Sequence, residues 1–409
     1  MHMNKEKAVT KLRFPEFEND YSVEFLNGNL LFESITNKNH NSDLPVLAIT
    51  QDQGAIPRDQ IDYNVTVTRE SLASYKVVEM GDFIISLRSF QGGIEYSRFK
   101  GVCSPAYIVL RKKGSDISER YYKYYFKTGK YIQDLNKNLE GIRDGKMISY
   151  SQFSDIKIPF PSLCEQQKVA ECLSSMDKFI DAEDKKLEAL KKYKRGLLQK
   201  LFPAEGKTLP EWRFPEFKEC GAWEAKSIEQ SCDMFSGGTP DTLRKEFYGG
   251  TIPFIRSGEI KKNTTELYIT DKGFKNSSAK MVKKGDILIA LYGANSGDVA
   301  LSQIDGAINQ AILCLRHEAN NVFVYQYLSY IKKWLVSKYI QGGQGNLSSQ
   351  IIKSIVLYFP RPQEQQKIAD CLSEIDSLIM AQSKKVENLK KYKQGLMQKL
   401  FPSFEEVIV

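Results

Sequence analysis

Histidine is scarce in this chain, and no metal centre can be assembled around it. The three histidines lie at positions 2, 40 and 317, and the seven cysteines, at 103, 164, 172, 220, 232, 314 and 371, contain no CxxC pair and no Cys/His spacing of a zinc site. An odd set of cysteines behind the polar start MHMNKEKAVT leads to the expectation of reduced thiols in a cytoplasmic protein. Long apolar runs are missing too: Ile84 to Leu87 and Ile287 to Leu291 stop far short of the roughly 20 residues that span a bilayer as a helix.

Catalytic fingerprints are equally absent. Gly206-Lys207-Thr208 has Leu201 where a phosphate-binding loop needs its first glycine, and HExxH, GxSxG, the Rossmann fingerprint and the [DN]PP[YF] motif of amino-methylation do not occur. Pro240-Asp241 and Glu224-Ala225-Lys226 have the wrong order and spacing for a nuclease site. The chain is therefore expected to perform no covalent chemistry by itself and to bind no metal or cofactor.

What is present is ordinary globular material with an internal order. The 409 residues, 42% hydrophobic and 26% charged, suit about two domains and a connector, and exclude a disordered or fibrous chain. Lysine and arginine exceed aspartate and glutamate by 58 to 50, a net +8, which favours an anionic partner without naming one.

The organising feature is a repeat. FPSLCEQQKVAECLSSMDKFIDAEDKKLEALKKYKRGLLQKLFP, from Phe160 to Pro203, returns 199 residues later from Phe359 to Pro402 with 28 of 44 positions identical. RFPEF recurs at Arg13 to Phe17 and Arg213 to Phe217, and GDFIIS at Gly81 is echoed by GDILIA at Gly285. The chain is a tandem duplication, read as segments 1–160, 161–203, 204–359 and 360–409.

The constant segments are helical by period. Val169, Leu173, Met176, Ile180, Glu183, Leu187, Leu190, Lys194, Leu197 and Leu201 alternate spacings of 4 and 3, as do Ile368, Leu372, Ile375, Ile379, Gln382, Val386, Leu389, Lys393, Leu396 and Leu400. A helix from Glu165 to Lys200 would be a rod of roughly 54 Å, too narrowly apolar to stand alone. Its first part, Glu165 to Asp184, carries six acids and two lysines; its second, Lys185 to Lys200, carries seven bases and one acid, and the later repeat is polarised the same way. Antiparallel pairing sets acidic against basic halves, and predicts Glu171 against Lys390 to Lys393. The alternative is two separate helices, each packed on its own domain.

Segments 1–159 and 204–358 read as mixed α/β, with short strands at Val46 to Thr50, Phe83 to Leu87, Tyr107 to Leu110, Ile287 to Leu291 and Ile312 to Leu315. One helix per half follows, from Ser118 (SERYYKYYFKTGKYIQDL) and from Asn321, whose tyrosines at helical spacing are read as core and not as base-stacking platforms. The loops mix glycine with Arg, Lys, Asn, Gln, Ser and Tyr, a set suited to phosphates and base edges and equally to ordinary turns. Candidate DNA contacts are Arg88, Ser89, Gln91, Arg98, Arg143 and Lys146 in the first half, and Thr239, Arg244, Lys245, Arg256, Ser257, Tyr292, Asn295, Ser296, Gln344 and Asn346 in the second.

EQQK (Glu165, Glu364), LKKYKxGL (Leu190, Leu389), QKLFP (Gln199, Gln398) and SGGTP at Ser236 to Pro240 resemble the specificity subunit of type I restriction–modification enzymes over essentially the whole chain. The first half lacks a clear SGGTP counterpart. The resemblance implies two target-recognition domains, each reading one part of a bipartite, asymmetric sequence in double-stranded DNA, on two long antiparallel helices that set the spacing. It implies a bacterial or archaeal host, and two methyltransferase subunits docked on the helices, with restriction subunits joining in a complete system. S-adenosylmethionine, ATP and Mg2+ would be used by those partners. Lys191, Lys192, Tyr193, Lys390, Lys391 and Tyr392 are the candidate docking residues; a solvated coiled-coil face is the other reading of these lysines. Two other functions also fit paired domains on a coiled coil: a scaffold that reads no DNA, and a nuclease acting alone.

Overall fold

The duplicated landmarks reappear as duplicated hydrogen bonds in the computed structural model, which describes residues 7–8, 10–18, 23–41, 43–61, 68–137, 148–339 and 346–402. Two compact units emerge: Met1–Glu183 with Lys385–Val409, and Asp184–Lys384. This division cuts through both constant segments. Each unit takes the start of one long helix and the end of the other, with the helices spanning Leu163–Leu201 and Pro362–Leu400.

In the first unit the strands Phe32–Ile35, Ile108–Lys112, Phe83–Ile85 and Glu95–Tyr96 form an antiparallel sheet in that order. Successive residues of a strand point to opposite faces, and here both faces are covered. Phe83 and Ile85 join Phe32, Leu110 and the tyrosines on one side, while Ile84 and Val109 join Leu47, Val78 and Cys103 on the other. That is why the strand reads as a continuous apolar run and does not alternate. Two ribbons, Leu47–Thr50 with Gly54–Pro57 and Lys76–Val78 with Gly101–Cys103, supply the second face.

The second unit repeats the order with Cys232–Ser236, Ile312–His317, Ile287–Ala290 and Val299–Leu301. Ile287, Ile289, Leu313 and Leu315 face one core; Leu288, Ala290, Ile312 and Cys314 face the other. The repeated Gly-Asp is also explained. Gly81 and Gly285 turn the chain at φ 97° and 92°, a region that glycine enters freely. Asp82 then accepts the backbone N–H of Glu79 and a fork from Arg111, as Asp286 accepts Lys283 N and Arg316.

Within each unit the helix segments pair antiparallel, as charge polarity predicts. Three polar interruptions of the heptad seam, Lys393, Glu183 and Lys194, meet charged residues of the other helix that lie outside the seam: Lys393 reaches Asp177 and Lys385 reaches Glu183 at 2.7 Å in the first unit, and Lys194 reaches Asp376 at 2.6 Å in the second. The register differs from the sequence expectation, since the acid opposite Lys393 is Asp177 and not Glu171. Leu400 and Phe401 end one helix inside the first core, beside Val169 and Leu173; Leu201 and Phe202 end the other inside the second, beside Ile368 and Leu372. Each RFPEF arginine clamps the acid of its EQQK motif: Arg13 to Glu165 at 2.8 and 2.7 Å, Arg213 to Glu364 at 2.8 and 2.5 Å.

The tyrosines are core, as read: Tyr121, Tyr122, Tyr124, Tyr125 and Tyr131 are buried. The single helix expected from Ser118 is instead two, Glu119–Tyr125 and Gly129–Lys137. The Thr128 hydroxyl bonds back to Tyr125 O, an alternative to the helical ladder, and Gly129 adds no helix preference. Asn321–Tyr339 is one continuous helix.

Candidate nucleic-acid interface

In the second unit four loops meet at one edge of the sheet. The loop after strand Ile287–Ala290 is closed by Gly297 N to Ala290 O at 2.8 Å, with Gly293 and Gly297 at φ 79° and 82°. The Ser296 hydroxyl donates to Leu291 O, and Leu347 N donates to Leu291 O and to Ser296 Oγ, which fixes the 346–348 segment beside it. Leu291 N donates to Ala311 O, and the neighbouring Gln310 accepts from the Thr239 hydroxyl at 2.6 Å, tying in the SGGTP loop. The Ser257–Glu259 turn completes the group: a Cβ on Gly258 would lie 3.5 Å from Asn295 Nδ2.

Thr239, Ser257, Asn295, Ser296 and Asn346 are therefore brought together, and Tyr292 and Asn295 are exposed on the central loop. Arg256 is already engaged by Glu259 and Glu266. Burial works against ionisation of Glu259, but hydrogen bonds from Arg256 and from backbone N–H groups outweigh it and hold the carboxyl near 2. Arg256 can reach a base edge only by exchanging these carboxylates for it. Arg244 and Lys245 are exposed farther along the SGGTP loop, where Arg244 lies over the Phe247 ring.

The glycines of SGGTP serve packing. A Cβ on Gly237 would stand 1.8 Å from the carbonyl oxygen of Ile308, and one on Gly238 would stand 1.9 Å from Ser278 Oγ. They let the loop lie against strand Gly306–Ile308, so the close backbone approach that the motif requires is to the protein itself.

The first unit builds the corresponding edge from different residues. After strand Phe83–Ile85, Arg88 and Gln91 are exposed, whereas Ser89 is buried and its hydroxyl accepts Ser86 N at 2.9 Å. Ser89 is thus a turn-forming residue, since its oxygen is spent on the backbone. Arg98 sits past the opposite end of the strand, next to Ser97, whose N–H bonds Asp82 O; the structure separates it from Arg88 and Gln91. Arg143, Lys146 and Gln344 lie outside the described residues.

Lys191, Lys192 and Tyr193 are exposed in the second unit, and Lys390, Lys391 and Tyr392 in the first. Tyr193 and Tyr392 are 59% and 60% exposed, each one position before a seam lysine, Lys194 or Lys393. Lys191 and Lys391 make local pairs, with Glu188 and Glu387. Sequence reasoning missed the acids and lysines that fasten the loops: Glu95 with Lys127, and Asp298 with Lys261 and Lys332. Their partners are far apart in sequence and follow no local period.

The family model for the type I restriction modification DNA specificity domain matches twice, at residues 22–192 and 221–391. The chain belongs to this family. Each specificity-domain match takes in a globular half and most of the long helix after it. The type I restriction enzyme MjaVIII specificity subunit of Methanocaldococcus jannaschii is 26% identical, with 79% of each chain covered. The fold is shared with the type I restriction–modification S subunit from M. genitalium, at TM-score 0.59 and 16% identity over 97% of this chain and 99% of that one. A second structure with TM-score 0.59 and 18% identity, covering 93% and 97%, comes from work on assembly and conformational transition of the type I R-M system. Among the described residues no helix is long and apolar enough to cross a membrane, and no cluster of His, Cys, Asp or Glu could hold a metal ion.

Proposed function

We propose that this specificity subunit reads a bipartite, asymmetric target in double-stranded DNA, one part with each unit, and that the shared long helices set the spacer and dock two methyltransferase subunits. The observation that carries this reading is a pair of units with one framework and different loops. Both keep the strand order, the Gly-Asp turn and the arginine–glutamate clamp, yet the exposed residues after the central strand are Arg88 and Gln91 in one and Tyr292 and Asn295 in the other. Arg pairs with guanine edges, and Asn or Gln with adenine, so different loops on one frame give different half-sites.

Catalysis belongs to the partners in this reading: methyltransferase subunits that use S-adenosylmethionine to modify adenine, and ATP- and Mg2+-dependent restriction subunits in a complete system, in the cytoplasm of a bacterium or archaeon. The exposed Lys-Lys-Tyr triplets support the docking assignment, because Tyr193 and Tyr392, two large aromatic side chains, are held in solvent at matching positions of the two long helices. Reversing charge at Lys191, Lys192, Lys390 and Lys391 together is expected to abolish co-purification with the methyltransferase while the far-ultraviolet circular dichroism of the isolated chain stays unchanged. Retained assembly would remove the triplets from the docking surface.

A further inference from the structure

The central loop of each unit is fastened by the same device. In the first unit it runs between strands Phe83–Ile85 and Glu95–Tyr96; in the second, between Ile287–Ala290 and Val299–Leu301. A carboxylate stands at the closing end of each loop, Glu95 or Asp298, and a lysine from the helical segment later in the same unit meets it. Lys127 Nζ lies 2.5 Å from Glu95 Oε1, and Lys332 pairs with Asp298 Oδ1.

Both pairs reach a second loop as well. Lys127 also donates to the carbonyls of Gly92 at 2.9 Å and Gln51 at 3.2 Å, and Gln51 Nε2 donates to Arg88 O at 3.3 Å. The Lys127 ammonium thereby joins the turn after Leu47–Thr50 to the closing end of the segment that exposes Arg88 and Gln91, and the Gln51 amide joins that turn to its opening end. In the second unit Asp298 accepts Lys261 at 2.6 Å, which joins the Arg256–Glu259 turn to the loop that exposes Tyr292 and Asn295.

On the reading given above, we propose that Lys127 with Glu95, and Lys332 and Lys261 with Asp298, are positioning residues that hold the loops of their own unit in register for one half-site. An ion pair at such a place is a costly way to gain stability, since apolar side chains of like volume serve as well or better. The first pair is plainly not optimised for stability, because Glu95 is buried and its second oxygen, Oε2, has no hydrogen-bond partner. What the pair does provide is direction: it fixes backbone carbonyls of two loops about one point, and base readout depends on loop placement to a fraction of an ångström.

The two units differ in how this device responds to protons. Burial pushes Glu95 up to about 7; Lys127 opposes the shift and Asp52 adds slightly to it. Burial also raises Asp298, but Lys261 and Lys332 outweigh it and leave that carboxyl below its ordinary value. As pH falls through 7, Glu95 takes up a proton and its attraction for Lys127 is lost, while Asp298 stays ionised. Stability has the opposite sign to recognition here. A carboxyl whose folded pKa is raised favours the fold below its unfolded pKa, near 4.5, and that contribution is lost as pH rises towards 7.

The test uses the complete methyltransferase complex in cells carrying the unaltered chain, Lys127→Met, Lys127→Arg, Glu95→Gln or Lys332→Met, with methylated adenines mapped genome-wide. Lys127→Met and Glu95→Gln are expected to relax discrimination about tenfold at the first unit's half of the motif, the scale of one weakened base contact, and to leave the other half strict; Lys332→Met does the reverse, and Lys127→Arg restores most of the discrimination. The purified complex on a duplex bearing the motif should bind more weakly at pH 6 than at pH 8 when the unaltered chain is used, and Glu95→Gln should flatten that difference. An unchanged motif in all variants, or equal loss at both halves in variants that unfold normally, overturns the proposal. If the unaltered chain itself directs no motif, the reading beneath it fails instead.

Discussion

Glu364→Gln is expected to lower the unfolding free energy of the chain by about 3–5 kcal/mol, the cost of removing one partner of a buried ion pair. The Glu364 and Arg213 side chains are 1% and 10% exposed, and their two parallel bonds of 2.8 and 2.5 Å use the guanidinium fork. Arg213 also donates to the carbonyls of Cys220 and Gly221, so it cannot swing into solvent without giving up further bonds. Its cation would be left facing a neutral amide. The double substitution Arg213→Met with Glu364→Gln removes the stranded charge and should recover part of the loss, which urea unfolding of the four members of the cycle measures. A single-variant loss below about 1 kcal/mol, the scale of an exposed pair, would show that the clamp is not a structural element. Arg13 and Glu165 hold the first unit in the same way and should respond alike.

Gly237→Ala is expected to cost about 3 kcal/mol or more, at or beyond the upper end of ordinary overpacking, because its Cβ would lie 1.8 Å from a strand carbonyl that cannot move without the sheet. The functional loss should be larger than the structural one. Displacing the SGGTP loop breaks the Thr239–Gln310 bond at the edge where Asn295, Ser296 and Asn346 converge. Methylation directed by the variant should therefore lose its second half-motif at temperatures where the chain is still folded. If Gly237→Ala is as stable as the parent and reads both half-sites, the loop is not packed as described.

Much of this architecture was legible because duplication makes a sequence its own comparison. The offset of 199 exposed both helices, and the reversal of charge along them gave their antiparallel sense, since acidic halves and basic halves can be satisfied only head to tail. The register was not legible. Lys194 and Lys393 looked like flaws in a heptad seam, and only the structure supplies Asp376 and Asp177 as their acceptors. The division into units was hidden for a related reason: nothing local in a continuous helix says that its two halves pack on different cores. Among the candidate contacts, composition could propose Ser89 but could not tell a hydroxyl facing DNA from one bonded to Ser86 N. Glu95 and Lys127 were invisible because they are 32 residues apart and meet only through the fold.

The most direct test of bipartite reading is a domain exchange scored by adenine methylation. Methylated adenines would be mapped genome-wide in cells with the gene, without it, and with residues 1–159 replaced by the matching segment of another specificity subunit. The expected result is a motif that depends on the gene and changes in one half only, with the spacer and the other half intact. A motif that changes throughout, or no motif that depends on the gene, would contradict it.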